Sequence, residues 1–147
     1  MLWEVLGMKN EITEDIEKFL MGGKASFTIL QEPDTEYKYE LTRSDDGNLL
    51  FVKAQMEGES KLVYQGYINR STKIFKVGKN GAKNFNQKAI KGLMWVLNRA
   101  NDLPKEVHII HHGVCSVCGR SLSDTKSLIC GIGPVCRQRL DKIGYKY

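Results

Sequence analysis

The sequence predicts an α+β protein: an antiparallel meander sheet of about five strands packed on a helix, followed by a small C-terminal zinc-binding module. Three observations predict it. Short runs of alternating apolar and polar residues, separated by turn-forming residues, fill the stretch 25–77. An amphipathic segment follows at 85–100. All four cysteines then fall between Cys115 and Cys136. The expected division is a sheet-and-helix domain over 1–104 and a zinc module over 105–147.

The elements follow in order. Ile12, Ile16, Phe19 and Leu20 recur at helical spacing, with Asn10 as a cap and Gly22-Gly23 as a stop, so a helix is expected over Asn10–Met21. Phe27 and Ile29 alternate along a first strand, and Tyr37, Tyr39 and Leu41 along a second. Asp45-Asp46-Gly47-Asn48 is a turn before a third strand, 49–54. A further hairpin joins Lys61–Ile68 to Lys73–Val77. The helix from Phe85 to Ala100 buries Ile90, Leu93, Met94 and Leu97, with Trp95 widening the stripe, and ends at Asp102-Leu103-Pro104. A strand at Val107–Ile110 opens the module.

A chain of 147 residues with 41% hydrophobic residues has room for one sizeable core. No run approaches the ~18 apolar residues of a membrane span. The first ten residues lack a basic start and a cleavage site, so no secretory signal is expected. The net charge of +5 conceals an asymmetry. Residues 1–60 hold 6 Lys/Arg against 13 Asp/Glu, whereas residues 61–147 hold 16 against 4. From Lys61 to Arg99 there are nine basic residues and no acid, a pattern that attracts a polyanion or an acidic protein surface.

The cysteine spacing is C-x2-C-x11-C-x5-C. Two thiolates on the Cys115-Ser-Val-Cys118-Gly119-Arg120 turn can face one ion, and a returning pair completes a soft tetrahedral set at ~2.3 Å, which suits structural Zn2+. Pro134 suits the first turn of a helix running to about residue 143, which places Cys136 at a helix N-terminus where a thiolate is favoured. Spacing offers Cys130 as the fourth ligand. His111, four residues before Cys115, is an equal alternative that would leave Cys130 in the core. His108 and His112 read as surface or packing residues.

The run from His111 through Cys115-Ser-Val-Cys118-Gly-Arg120-Ser-Leu122, with Ser127-Leu128 and Gly131-Ile-Gly-Pro134-Val-Cys136, resembles a zinc-binding module found in uncharacterised bacteriophage and prophage proteins. The resemblance implies that His111, Cys115, Cys118 and Cys136 are the ligands. Cys130 departs from the family pattern and keeps the fourth position open between the two residues. Lys24–Ile29, Thr35, Tyr37-Lys38-Tyr39 and Tyr64-Gln65-Gly66-Tyr67 also resemble strands of these proteins. The resemblance implies a shared architecture and a phage origin, with a cytoplasmic location in a bacterial host, but no activity.

No catalytic constellation is expected. A cysteine-rich metal set is normally closed, the H-x-E of the zinc deaminases is absent, and Gly131-Ile132-Gly133 lacks the context of a phosphate loop. A binding role remains. Tyr64, Tyr67, Phe75 and Phe85 are interleaved with basic residues, among them Lys73, Lys76, Lys79 and Lys83, and the module adds Arg120, Arg137 and Arg139. Exposed aromatics beside lysines stack bases while the charges meet phosphates, although strand alternation favours a core-facing placement for the aromatics. One reading is therefore nucleic-acid binding through 61–99 and the module. The other, favoured by the resemblance, is binding to a host protein or ribonucleoprotein. In that reading the protein inhibits a defence system such as a CRISPR effector, with the acidic first 60 residues mimicking nucleic acid.

Overall fold

The computed structural model describes residues 10–79 and 84–142. The expectations for the first nine residues, and those for Lys83 and residue 143, lie outside the described residues. Hairpin turns fold the chain into β1 (Lys24–Gln31), β2 (Thr35–Arg43), β3 (Leu49–Gln55), β4 (Leu62–Asn69) and β5 (Phe75–Val77), an antiparallel meander. A sixth strand, β6 (Val107–His111), returns to the other edge and pairs antiparallel with β1, Ile29 opposite Ile109. The sheet order is β5-β4-β3-β2-β1-β6. The strand expected to open the metal-binding module is therefore also a strand of the main sheet.

The first helix is shorter than its periodicity predicts. Between Glu11 and Met21, only α1 (Ile16–Leu20) is helical, because the residues before it make other bonds. The Ile12 N–H donates to the Ile109 carbonyl at 2.8 Å, and the Thr13 N–H to that of Ile129 at 2.9 Å. Phe19 and Leu20 are buried, and the Phe19 ring meets Phe27 edge-on at 5.7 Å.

The second helix, α2 (Gln87–Asn98), starts at Asn86, whose side chain accepts the Ala89 N–H. It buries Ala89, Ile90, Leu93, Val96 and Leu97 against the inner face of the sheet, which presents Tyr39, Leu41, Leu50, Val52, Ala54 and Ile68. Tyr39 anchors the helix by donating its hydroxyl to the Ala89 carbonyl at 2.8 Å. Trp95 does not widen the buried stripe. It is 36% exposed, with the Arg99 guanidinium 4.6 Å above its ring.

One irregularity in β4 changes which side chains face out. Val52 pairs with Gly66 and Lys53 with Tyr64, so Gln65 is the extra residue of a β-bulge. Its side chain turns inward and is fully buried. There it accepts the Asn86 N–H at 2.7 Å and donates to the Asn84 carbonyl at 2.9 Å, fixing the entry to α2. Residues three apart on a regular strand point to opposite faces. The bulge puts Tyr64 and Tyr67 on the same face. Because Gln65 holds buried backbone groups at both ends, Gln65→Leu should cost about 2–3 kcal/mol, read as a lower urea midpoint at unchanged slope. A loss under about 0.5 kcal/mol would mean that the bulge does not fasten the helix.

Candidate functional site

Two arrangements stand out, a cluster of sulfurs and an outer sheet face. The sulfurs begin with a tight hairpin after β6. The Cys115 N–H donates to the Arg120 carbonyl at 2.7 Å and the Gly119 N–H to that of Cys115 at 2.9 Å. Gly119 takes φ +80, a left-handed turn open to glycine at little cost, which carries the chain from Cys118 back alongside Cys115. Next come α3 (Thr125–Cys130), capped by Asp124, and α4 (Pro134–Lys142), which brings Cys136 into its first turn. The helix α3 is not anticipated by the spacing of the cysteines. Gly131 ends it at φ +71, and a side chain there would collide with the Phe19 ring, so only glycine lets the module sit this close to α1.

Cys115, Cys118 and Cys136 converge, with their sulfurs all within 4.8 Å of one another. Ligands around one ion at ~2.3 Å stand roughly 3.8 Å apart, so small adjustments suffice to hold a metal. The Gly133 and Val117 N–H groups both point at the Cys115 sulfur, at 3.3 and 3.4 Å, as they would to support a thiolate. Burial, followed by the charge of Cys115 and contacts with both neighbours, pushes the Cys136 thiol up to about 12. Burial also opposes ionisation of Cys118, but the Arg120 N–H and the other two thiols outweigh it and lower its pKa. Three thiols in this space resist becoming three thiolates until a cation joins them. The donor set therefore fits a metal ion.

Neither candidate for a fourth ligand joins the cluster. His111 is buried on β6 with both ring nitrogens engaged. Its Nδ1 accepts the Gly113 N–H at 2.9 Å, and its Nε2–H donates to the Leu128 carbonyl at 2.8 Å, so the ring is a neutral clamp between the hairpin and α3. Burial lowers its pKa, only partly offset by the Leu128 bond. The Cys130 thiol is buried and turned toward the Ile132 carbonyl, 3.5 Å away. His108 lies between Glu11 and Glu32, and His112 between Ser26 and Thr28. Among the described residues, Ile132 and Leu140 are the buried aliphatic side chains around the sulfurs, a small core of the kind that a metal commonly completes.

The residues expected to meet a partner divide. Lys73 pairs with Glu17. Arg137 is internal bracing, donating to Ser127 Oγ at 2.6 Å and the Ile132 carbonyl at 2.8 Å, with Asp124 at 3.6 Å. Lys76, Lys79, Arg120 and Arg139 are exposed.

Of the four aromatics, Phe75 and Phe85 stack at 6.2 Å and pack on the core, as alternation predicts. Tyr64 and Tyr67 do not. In register they stand opposite Lys53 and Phe51, whose neighbours Leu50, Val52 and Ala54 fill the core, so all four point to the outer face. Phe51 is 38% exposed and meets Tyr64 edge-on at 6.3 Å. Across β2 to β5 the register gives the rows Thr42–Phe51–Tyr67–Lys76 and Glu40–Lys53–Tyr64, with Lys38 exposed beside them on β2. Phe51 and Lys53 were not singled out from the sequence, although the alternation of Leu50, Val52 and Ala54 carries the signal.

A family of unknown function (DUF6011) matches this chain over residues 110–141, the stretch that holds all four cysteines. No curated protein and no solved structure matches.

If the three converging sulfurs are the ligands, Cys115→Ser, Cys118→Ser and Cys136→Ser should each abolish stoichiometric metal in elemental analysis, whereas Cys130→Ser and His111→Gln should keep one ion per chain. Loss of metal from either of the last two variants, in protein that stays folded, would return that residue to the ligand set.

Proposed function

We propose that the protein is a non-catalytic zinc-binding protein that binds single-stranded nucleic acid across the outer face of its sheet. The observation that carries this reading is the patch of Phe51, Tyr64 and Tyr67 on one face, bordered by Lys38, Lys53 and Lys76. Aromatic rings on an antiparallel sheet offer stacking surfaces to unpaired bases, and flanking lysines meet the phosphates between them. Glu40, opposite Lys53, leaves the face net positive. The sulfur-rich donor set favours zinc over harder cations. In this reading the ion shapes the C-terminal region, which in turn seats β6 at the sheet edge.

Fluorescence anisotropy with a labelled oligo(dT) tests it. Affinity should fall steeply between about 50 and 200 mM salt. Phe51→Ala, at an exposed position, should weaken binding by ~1–3 kcal/mol per lost stacked base without altering the fold. Lys76→Gln should flatten the salt dependence. Binding indifferent to salt and to Phe51→Ala would reject the proposal.

A second reading draws on a different surface. The turns after β1 and β3 lie at the same end of the sheet and carry Glu32, Asp34, Glu57 and Glu59, all exposed. This acidic end suits a basic protein groove that normally holds nucleic acid, as in a host defence effector blocked by a phage-type inhibitor. Capture of a basic host protein in the presence of nuclease, lost on reversing Asp34 and Glu57 to lysine, would favour this reading. Capture unaffected by the reversals would reject it.

A further inference from the structure

A metal site that serves structure alone is normally closed by four protein ligands, whereas one that meets an outside group keeps a position open. The chain has four cysteines and three histidines, all among the described residues. Only three of these seven converge. His111 has a hydrogen bond at each ring nitrogen, the Cys130 thiol faces the Ile132 carbonyl, and His108 and His112 are bonded elsewhere on the sheet. The three sulfurs instead line a pocket of about 410 Å³ shared with Arg120, Leu122, Asp124 and Arg139. Asp124 is the one carboxylate in that lining, and it is committed to the Ser127 N–H and hydroxyl and to Arg137.

We propose that a metal ion held by Cys115, Cys118 and Cys136 keeps its fourth coordination position open to this pocket, and that the position takes an anionic donor from outside the chain. The inference rests on the reading of the three cysteines as metal ligands. Three thiolates around a divalent cation leave one net negative charge, and an anionic fourth donor makes two. Such a centre is poorly tolerated beside neutral walls, yet here the exposed Arg120 and Arg139 line the pocket. A neutral donor would gain little from those guanidiniums. The chemical class selected is therefore a small anion or the thiolate or carboxylate of a partner.

The full chain loaded with cobalt(II) tests this through its visible absorption, with azide as the anionic probe and imidazole as the neutral one. Azide should shift the bands saturably and bind more tightly than imidazole. In the Arg120→Ala/Arg139→Ala double variant its affinity should fall about tenfold at unchanged cobalt stoichiometry. Cobalt bound one to one with bands indifferent to azide would overturn the inference while leaving the metal reading intact. So would an azide response that appears only in His111→Gln or Cys130→Ser, because the chain itself would then fill the position. Failure to bind cobalt or zinc at all would overturn both readings.

Discussion

The convergence of three cysteine sulfurs on one small space is the constraint on which the C-terminal part of this protein turns. Cys115 and Cys136 are buried and Cys118 half-buried, and the fold packs their sulfurs together, where burial and a neighbouring charge oppose ionisation of Cys136. Among the described residues, the cluster has only two buried aliphatic side chains beside it, Ile132 and Leu140, so little apolar packing holds it together. A divalent cation among the sulfurs would favour the thiolate forms that burial opposes. The surrounding detail agrees: amide N–H groups aimed at a sulfur, a left-handed turn at Gly119, and a helix whose first turn supplies the third sulfur. His111 then acts as a brace, tying the hairpin to α3 through its two nitrogens.

The sheet shows a different economy. Its inner face is an ordinary apolar surface against α2, but its outer face gathers aromatic rings that a regular strand would have divided. The agent is a single extra residue. Gln65 leaves the ladder, enters the interior and binds the backbone ahead of α2. The same bulge therefore fastens the helix on one side and composes the surface on the other.

Much of this was legible in the residues themselves. The meander, its turns, α2 and the helix at Pro134 follow from periodicity and from Gly, Asp and Pro at element ends. Of the four cysteines that spacing would bring together, Cys115, Cys118 and Cys136 converge. What was not legible depends on contacts between segments distant in sequence. Ile12 and Thr13 look helical but bond to Ile109 and Ile129, which truncates α1. Trp95 fits a buried stripe but lies beside Arg99 instead. The bulge leaves no local signature strong enough to move Tyr64 and Tyr67 off the alternation. His111 has the chemistry and spacing of a ligand, and only the Gly113 and Leu128 backbone groups reveal that both its nitrogens are engaged.

The pairing of β6 with β1 has a consequence for the order in which the chain can mature. Strand β1 leaves the ribosome some eighty residues before its neighbour, so the nascent meander carries one bare, hydrogen-bond-hungry border until residues 107–111 emerge. The cysteine hairpin follows directly behind that strand. An ion held by the three sulfurs would thus be bound in the same short interval of synthesis in which the sheet closes.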